Sequence, residues 1–573
     1  MKVTDYIAGF LAARGVSHVF ELVGGMTTHL LDSLHQRPDI RIVSVHHEQA
    51  AAFAAEGWAR MTGLPGVAMA TSGPGATNLL TGIGSCYFDS TPAVFLTGQV
   101  NRSEQKGDRP IRQLGFQETD IVSMARPITK AAWLAQTPAE VPDLLRRAFE
   151  LATEGRPGPV LLDLPMDVQR ASIDIGVDGK SAARPVSGAP IPGLDGLISG
   201  LRAAQRPLVL VGGGIHAARA RSAFRKFAFA LGVPVVHSLM AVDALPFDDL
   251  LRVGMIGTYG NRWANLGLRE ADFLLVVGSR LDIRQTGSDV AAFAEGKRII
   301  HVDCDTGELN NRIANCEGIV AHLADFLPAA TARVDSEDLP DWSSWHDHLA
   351  AARAQWPDTA EQIGLASINP NEFVHAISRA GRNASAFVVD VGQHQMWAAQ
   401  SVETVGEQRF VTSGGMGAMG FSLPAAIGVA FARPGASVVL IAGDGGFQLN
   451  LQELQTVVRN RLPIKIAILN NGCHGMVRQF QQSYFESRYQ STLWGYSAPD
   501  FVRVAEAFGV PARRVSESSG VSDAVGWLMS DRDGPALLDV AIDTYANAYP
   551  KIAFGRPISE MEPQATPLEI EST

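Results

Sequence analysis

Two oxygen-bearing side chains in the C-terminal third have the spacing to share a metal ion. Asp444 stands in a glycine turn, GDGG, after the apolar run ASVVLIAG, and Asn471 ends the next apolar run 27 residues later (471 − 444). Because parallel strands present their carboxyl ends at one edge of a sheet, both side chains would reach one site. Carboxylate, amide and main-chain oxygens suit Mg²⁺, and helix N–H groups after Asp444 suit a diphosphate. The alternative is an ordinary strand–turn–helix in which Asp444 only caps the helix.

A second acidic residue, Glu48, stands where an apolar strand meets an alanine-rich helix. The strand RIVSV is followed by HHEQAAAFAAEGWAR, so Glu48 opens the helix. An acid at this position ordinarily caps the helix and complements its dipole. It could equally serve as a buried proton donor, and position alone does not separate the two interpretations.

Three blocks position these residues. Each alternates apolar strands with helical patterns, which predicts α/β architecture with three doubly wound parallel-sheet domains. The expected boundaries are 1–173, 190–335 and 365–548, with a glycine- and proline-rich linker at 176–193 and a tail, mobile or a lid, at 549–573. The apolar runs predict strands at 18–22, 41–45, 66–71, 93–98, 159–164, 207–214, 234–239, 273–279, 298–305, 386–392, 436–446 and 463–472.

Composition excludes several classes of protein. The net charge is −11, from 48 basic and 59 acidic residues, and no basic stripe is present, which argues against nucleic-acid binding. No apolar run is long enough to span a membrane. The four cysteines are far apart, and the N-terminus reads as an amphipathic helix rather than a signal peptide, so a cytoplasmic location is expected.

Several segments resemble known enzymes. The stretch GDGGFQLNLQELQTVVRNRLPIKIAILNNG resembles the thiamine diphosphate motif of the decarboxylase and carboligase superfamily. Across nearly the whole chain, the sequence resembles the catalytic large subunit of acetolactate (acetohydroxyacid) synthase. The stretches that carry this resemblance are HHEQAAAFAAEGWAR, TSGPGATNLLTGI, GFQETDIV, RPGPVLLDLP, GQHQMWAAQ, SGGMGAMGFSLPAAIG and NNGCHGMVRQF. The resemblance implies a pyrimidine-binding, a central FAD-binding-like and a diphosphate-binding domain, in that order.

The resemblance also assigns roles at a thiamine site. Glu48 would protonate the aminopyrimidine ring, Met419 would bend the cofactor, although its alternative is core packing, and the Gly417 carbonyl would accept a hydrogen bond. The main-chain oxygen of Cys473 would be the third metal ligand; a thiolate role for Cys473 is the competing idea. The remaining expected cofactor contacts are Gly443, Gly445, Gly446, Gln393, His394, Gly475 and Met476. Because acid and metal lie on different domains, the family pattern implies a homodimer or homotetramer with sites at the dimer interface.

Further residues match the family's substrate and flavin segments. Gln117 would donate to the reacting carbonyl oxygen, with Gly25, Gln49 and Lys130 in matching active-site segments, although Lys130 could be a solvated charge. For FAD, which is structural in these synthases, the expected contacts are Gly212, Gly213, Gly214, Arg156, Arg280 and Asp303 or Asp305.

The departures from the family lie on the acceptor side. Phe480 replaces a usual Trp, Ile283 replaces the Asp before Arg284, and the fifteen-residue segment 101–115 before Phe116 is longer than usual. Arg284 could meet a carboxylate or a phosphate. Two acceptors therefore stay open after pyruvate decarboxylation: a second 2-oxo acid, giving acetolactate, or a ketone such as a nucleotide-linked keto sugar. Lesser alternatives are a 2-oxo acid decarboxylase, a flavin-dependent oxidase or dehydrogenase, and a non-catalytic binding protein.

Overall fold

Three parallel sheets of six strands each organise the chain in the computed structural model, which describes residues 1–174, 176, 190–362, 364–365, 367–531 and 533–568. The predicted α/β class with three doubly wound domains is confirmed. Most of the expected linker at 176–193 lies outside the described residues. No described helix is long and apolar enough to cross a membrane.

The N-terminal sheet has the order β2-β1-β3-β4-β6-β5. Its inner strands are mostly apolar because helices cover both faces, although they include the buried Glu21 and Asp163. The strands are β1 His18–Leu22, β2 Arg41–Ser44, β3 Gly66–Ala70, β4 Ala93–Gln99, β5 Ala131–Leu134 and β6 Pro159–Pro165. The helices are α1 Val3–Ala13, α2 Thr28–His35, α3 Glu48–Thr62, α4 Pro74–Asn78, α5 Leu80–Phe88, α6 Ile121–Ala125, α7 Val141–Thr153 and α8 Met166–Arg170.

The central sheet has the order β12-β11-β10-β7-β8-β9. Its strands are β7 Pro207–Val211, β8 Val235–His237, β9 Arg252–Met255, β10 Phe273–Val277, β11 Arg298–Asp303 and β12 Glu317–Val320. The accompanying helices are α9 Leu194–Ala203, α10 Gly214–Ala217, α11 Arg221–Leu231, α12 Arg262–Glu270, α13 Ile283–Thr286, α14 Val290–Ala294 and α15 Leu323–Asp335, and α16 Ser343–Gln355 lies in the connector to the next domain.

The C-terminal sheet has the order β14-β13-β15-β16-β18-β17. Its strands are β13 Ala386–Val389, β14 Arg409–Thr412, β15 Val438–Gly443, β16 Ile464–Asn470, β17 Ala512–Val515 and β18 Ala536–Ala541. Its helices are α17 Pro370–Ala380, α18 Gln393–Ser401, α19 Ser422–Ala432, α20 Asp444–Gln448, α21 Leu454–Asn460, α22 Gly475–Tyr484, α23 Phe501–Ala507 and α24 Val521–Leu528. A short hairpin follows, with β19 Lys551–Ile552 and β20 Met561–Glu562.

Helices α3 and α19 join the N- and C-terminal domains at very close range. A Cβ atom at Gly57 would lie 2.2 Å from the carbonyl oxygen of Ala425, and one at Gly428 would lie 1.9 Å from that of Ala54. Only glycine permits this approach of two backbones. Since α3 begins at Glu48, the packing of these small residues fixes the acid relative to the C-terminal domain.

Ion pairs hold the connector and the terminal hairpin. His375 of α17 bonds Asp358 of the connector at 2.9 Å and Glu403 at 2.8 Å. Arg262 of the central domain pairs with Glu361 at 2.6 Å and donates to the carbonyl oxygen of Glu562 at 3.2 Å. Three hairpin side chains, Ile552, Ile558 and Met561, belong to the central core. Residues 551–562 are therefore packed on the central domain, whereas 569–573 lie outside the described residues.

Candidate active site

The residues predicted to hold a metal and a diphosphate follow neighbouring strands of the C-terminal sheet. Asp444 opens α20 directly after β15, and Asn471 follows β16, which pairs with β15 in register from Val438 to Gly443. Gln393 opens α18 after β13, on the other side of β15. The strand order reverses between β13 and β15, and such a switch point is where open α/β sheets bind ligands.

Three oxygen atoms converge at this edge. The Asn471 side-chain oxygen lies 2.9 Å from the carbonyl oxygen of Cys473 and 3.3 Å from Asp444 Oδ1. An octahedral Mg²⁺ with ligands at about 2.1 Å holds neighbouring oxygens about 3 Å apart. Among the described residues, no three His, Cys, Asp or Glu side chains are grouped to hold a metal. The residues present fit Mg²⁺ because amide and main-chain oxygens complete the set, whereas a thiolate role for Cys473 has no such support.

Hydrogen bonds fix the orientation of the Asn471 amide. Rotating the amide would turn the oxygen contacts into hydrogen bonds, but it would bring its oxygen against Gln393 Oε1, 3.1 Å away. Gln393 cannot rotate in response, because its Nε2 donates to the carbonyl oxygen of Ala546 at 3.0 Å and to Gln479 Oε1 at 3.1 Å. Gln479 is fixed in turn, since its Oε1 accepts from the backbone N–H of Ala548. The Asn471 side-chain nitrogen therefore donates to Gln393, and the Asn471 side-chain oxygen faces Asp444 Oδ1 and the carbonyl oxygen of Cys473.

Tyr496, which the sequence reasoning missed, completes the surroundings of Asp444. The Tyr496 hydroxyl donates to Asp444 Oδ2 at 2.7 Å. Burial raises the pKa of Asp444 to about 6, and the Tyr496 hydrogen bond opposes the rise. Burial and the neighbouring Asp444 carboxylate also raise the pKa of Tyr496, so the phenol stays protonated at neutral pH. A cation beside Asp444 would offset the cost of burying its charge.

Glycines keep this edge open for a ligand or for close neighbours. A Cβ atom at Gly445 would lie 2.7 Å from His474 Nδ1 and 3.5 Å from Met419 Cε. The other crowded positions are Gly443, against His394 at 2.7 Å, Gly446, against Asp390 at 2.5 Å, and Gly475, against Gln393 at 1.9 Å. Met476 lies in the first turn of α22, half-buried. The predicted diphosphate residues are therefore grouped around Asp444.

The turn that carries Gly417 and Met419 is held from both domains. Asp89 of the N-terminal domain accepts from the N–H groups of Gly414 at 3.0 Å and Gly415 at 2.6 Å. Asp390 accepts from the N–H groups of Gly420 and Ser422 at the other end of the turn. Gly417 has φ +63°, a conformation that favours glycine. Neither aspartate was among the predicted site residues.

Glu48 lies at the carboxyl edge of the N-terminal sheet and is 7% exposed. Asn78 Nδ2 donates to Glu48 Oε2 at 2.9 Å. Gln117 has φ +65° and lies against Gly73, where an added Cβ would be 3.0 Å from Gln117 Cβ. Gly25 follows β1, and Gln117 comes after β4. The structure therefore brings Glu48, Gln117 and Gly25 to one edge of this sheet.

Lys130 and Gln49 point elsewhere. Lys130 immediately precedes β5, at the amino edge of the sheet, and its amine donates to the carbonyl oxygens of Glu154 and Arg156. Burial lowers the pKa of Lys130. Gln49 Oε1 accepts from Asn450 of the C-terminal domain at 3.1 Å. Within one chain, Lys130 is thus not grouped with Glu48.

A cavity of about 590 Å³ opens where the three domains meet. The residues that line it include Arg156, Gly213, Gly214, Arg280, Arg284, Asp303 and the turn from Ser413 to Gly417. Arg156 Nη1 lies 2.5 Å from Glu308 Oε1 and 3.5 Å from Asp305 Oδ2. Gly212 lies behind the wall, where a Cβ would be 2.3 Å from the carbonyl oxygen of Gly278. Five of the predicted flavin residues, Arg156, Gly213, Gly214, Arg280 and Asp303, therefore line one cavity of ligand size.

The predicted acceptor residues are exposed. Phe116 is 79% exposed and Phe480 is 46% exposed, with the Phe480 ring 4.7 Å from that of Tyr484. Arg284 is exposed at the cavity rim. The long segment 101–115 is closed by Glu118, whose carboxylate accepts from the N–H groups of Lys106 and Leu114.

Three segments of the chain match domains of one enzyme family. Residues 1–124 match the thiamine pyrophosphate enzyme N-terminal TPP binding domain, residues 194–330 the central domain, and residues 390–540 the C-terminal TPP binding domain. The first segment contains Glu48 and the last contains Asp444 and Asn471. Fold and site together define a thiamine diphosphate-dependent enzyme.

Relatives match over nearly the whole length. The chain is 38% identical to the acetolactate synthase isozyme 2 large subunit of Escherichia coli (strain K12), over 98% of this chain and 99% of the relative. It is 37% identical to the acetolactate synthase large subunit of Corynebacterium glutamicum (95% and 87% covered) and 36% identical to the chloroplastic acetolactate synthase 2 of Nicotiana tabacum (97% and 84%). The chain therefore belongs to the acetolactate synthase family of thiamine pyrophosphate enzymes. The predictions of this family and of a thiamine-dependent, carbon–carbon bond-forming enzyme are confirmed.

Proposed function

We propose that this enzyme decarboxylates pyruvate and joins the remaining two-carbon unit to a second carbonyl compound, with acetolactate as the product when the acceptor is pyruvate. The observation that carries the proposal is the convergence of the Asp444, Asn471 and Cys473 oxygens in a domain that matches the C-terminal TPP binding domain. The relatives named acetolactate synthase over nearly the full length support the same reaction.

Residues of this chain would bind the cofactor and move a proton. Asp444, Asn471 and the Cys473 carbonyl would hold Mg²⁺, and the N-terminus of α20 would receive the diphosphate. Thiamine diphosphate, when bound, supplies the carbon nucleophile and stores the electron pair as CO₂ leaves. Glu48 would exchange a proton with the pyrimidine ring, because it is a buried acid that Asn78 orients. Gln117 would donate to the oxygen of the reacting carbonyl.

We propose that a second copy of the chain completes each site. Large apolar side chains are exposed around the C-terminal edge, at Met416, Leu449, Val477 and Phe480, and on the N-terminal domain, at Val23, Phe116 and Met124. Exposed apolar groups around a site favour a covered interface. A homodimer or homotetramer would bring Glu48 of one protomer to the metal site of its partner.

The cavity between the three domains is the proposed FAD site. Gly213 and Gly214 follow β7 as a nucleotide-binding turn does, and Arg156 and Arg280 offer cations to a phosphate or a flavin ring. The turn from Ser413 to Gly417 contributes to its lining and also leads to Met419. A bound flavin would therefore support the thiamine site without taking part in the chemistry.

Two candidates exist for the carbonyl compound that accepts the two-carbon unit. Phe480, Ile283 and the segment 101–115, which contains Arg102, Lys106, Arg109 and Arg112, favour a larger anionic ketone such as a nucleotide-linked keto sugar. Full-length similarity to acetolactate synthases favours a second 2-oxo acid.

Product analysis tests both candidates. The chain loaded with thiamine diphosphate and Mg²⁺ is given pyruvate alone, then pyruvate with 2-oxobutyrate or a keto-sugar nucleotide. Acetolactate from pyruvate alone supports the first candidate; pyruvate consumption only with the sugar supports the second. Absence of pyruvate consumption under all conditions, or turnover that requires an external electron acceptor, would overturn the proposal.

A further inference from the structure

We propose that Tyr496 determines which divalent cation the C-terminal site accepts, by holding one oxygen of Asp444 away from the metal. This inference rests on the proposed metal site. The Tyr496 hydroxyl donates to Asp444 Oδ2 at 2.7 Å, whereas Asp444 Oδ1 faces the Asn471 oxygen at 3.3 Å. The two carboxylate oxygens are thus divided between a phenol and the metal position.

The direction of the Tyr496 hydrogen bond is fixed by its neighbours. Gln448 Nε2 lies 3.3 Å from the phenol oxygen and 3.1 Å from the main-chain oxygen of Asp444. Because the Gln448 amide donates to the phenol oxygen, the phenol hydrogen is left for Asp444. The ring packs edge-on against His474, with centroids 4.5 Å apart. Tyr496 is therefore held in place as a donor.

A carboxylate with one oxygen engaged can offer the metal only the other. Mg²⁺ takes six ligands at about 2.0–2.1 Å in near-ideal octahedral geometry, which a single oxygen suits. Ca²⁺ takes about six to eight oxygens at about 2.3–2.6 Å, and carboxylates often bind it through both oxygens. Tyr496 thus favours Mg²⁺, and its removal would free Asp444 Oδ2 for the bidentate binding that Ca²⁺ accepts.

The test compares Tyr496→Phe with Tyr489→Phe. Tyr489 lies in the same segment, its ring contacts Trp494, and no hydrogen bond to its hydroxyl is found among the described residues. The full-length chain at a fixed concentration of thiamine diphosphate is titrated with Mg²⁺ and with Ca²⁺, and binding is followed by tryptophan fluorescence. We expect Tyr496→Phe to weaken Mg²⁺ binding by about tenfold, as loss of a partner to a ligand does, with Ca²⁺ binding unchanged or tighter. Tyr489→Phe should leave both affinities unchanged.

Two results with the Tyr496→Phe variant would overturn the inference. An equal loss of Mg²⁺ and Ca²⁺ affinity in Tyr496→Phe would mean that Tyr496 only stabilises the segment, and no change would mean that it does not act on Asp444. The unmodified chain gives a second measurement that needs no variant: it should bind Mg²⁺ more tightly than Ca²⁺, and equal affinities would contradict the inference. A chain that binds neither cation with thiamine diphosphate would refute the proposed function instead.

Discussion

Replacing Glu48 by Gln removes an acidic proton while leaving the shape of the side chain nearly intact. Glu48 is 7% exposed, and Asn78 donates to its Oε2 at 2.9 Å. Gln retains a carbonyl oxygen that can accept this hydrogen bond, so the local packing should persist. General acid–base catalysis contributes about 10²–10⁴-fold in rate. At about 1.36 kcal/mol per tenfold, the variant should lose about 2.7–5.4 kcal/mol of transition-state stabilisation.

Two measurements separate catalysis from binding in Glu48→Gln. The rate of pyruvate consumption should fall by the factor above, and hydrogen–deuterium exchange at the thiazolium C2, followed by NMR, should slow with it. The affinity for thiamine diphosphate should change by less than about threefold, because the metal and diphosphate residues are untouched. The control is Glu150→Gln, since Glu150 pairs with Arg146 on the surface of α7 and should tolerate the same chemical change.

A fully active Glu48→Gln variant would refute the role of Glu48 in proton transfer and the assignment of the carboxyl edge of the N-terminal sheet to the active site. Slow turnover with normal C2 exchange would also contradict it, since the acid would then act at another step. Loss of cofactor binding in parallel with activity would identify Glu48 as a structural cap.

Three further predictions concern packing, pH and the turn. Gly57→Ala should lower the free energy of unfolding by about 1–3 kcal/mol or more, because its Cβ would meet the Ala425 carbonyl at 2.2 Å. The control for this calorimetric measurement is Gly526→Ala in α24, where nothing lies within 4 Å of the added Cβ, and it should stabilise the protein by up to about 1 kcal/mol. Two carboxylates raise the pKa of His375 above 6.5 against the opposing effect of burial. Protonated His375 therefore stabilises the folded protein. This contribution to the free energy of unfolding is complete below pH 6.5, the pKa of His375 in the unfolded chain, and is lost as the pH rises through the higher pKa of the folded protein. Thermal stability of the unmodified protein should therefore fall above pH 6.5 more steeply than that of His375→Gln, and parallel curves would exclude this role. Asp89→Asn should weaken thiamine diphosphate binding by about tenfold, because it weakens charge-assisted hydrogen bonds to the turn that leads to Met419. An unchanged affinity in a fluorescence titration would show that this turn keeps its conformation without the Asp89 charge.

Strand prediction succeeded where strands are buried on both faces. The strands that apolar runs did not reveal are β5, β9, β12, β14 and β17, all at sheet edges, and the inner strand β18. Edge strands are short or half-exposed, so they lack the continuous apolar run of an inner parallel strand. β12, for example, exposes three of its four residues. β18 contains Asp539, whose carboxylate accepts from Asn470, but β6 likewise contains Asp163 and was predicted, so this residue does not explain why β18 was missed.

Site prediction depended on sequence motifs and failed for residues that tertiary packing brings in. Asp444 and Asn471 stand in turns at strand ends, so the sheet topology alone brings them together. Tyr496 reaches Asp444 from 52 positions away, and Asp89 reaches Gly414 from 325 positions away. Such contacts depend on how separate segments pack, which no local pattern encodes. Lys130 shows that a matching segment does not fix the edge of the sheet at which a side chain lies, and its role at the site stays a prediction.

The terminal hairpin bears on how large molecules reach the interior. The hairpin at 551–562 follows the C-terminal domain in the chain but packs on the central domain, through a hydrogen bond from Arg262 and three apolar side chains. A hinge motion that separated the central and C-terminal domains would have to break these hairpin contacts and the Arg262–Glu361 ion pair. Local displacement of surface segments would leave these contacts intact, so we expect the kinetics of cofactor loading to report loop motion rather than separation of whole domains.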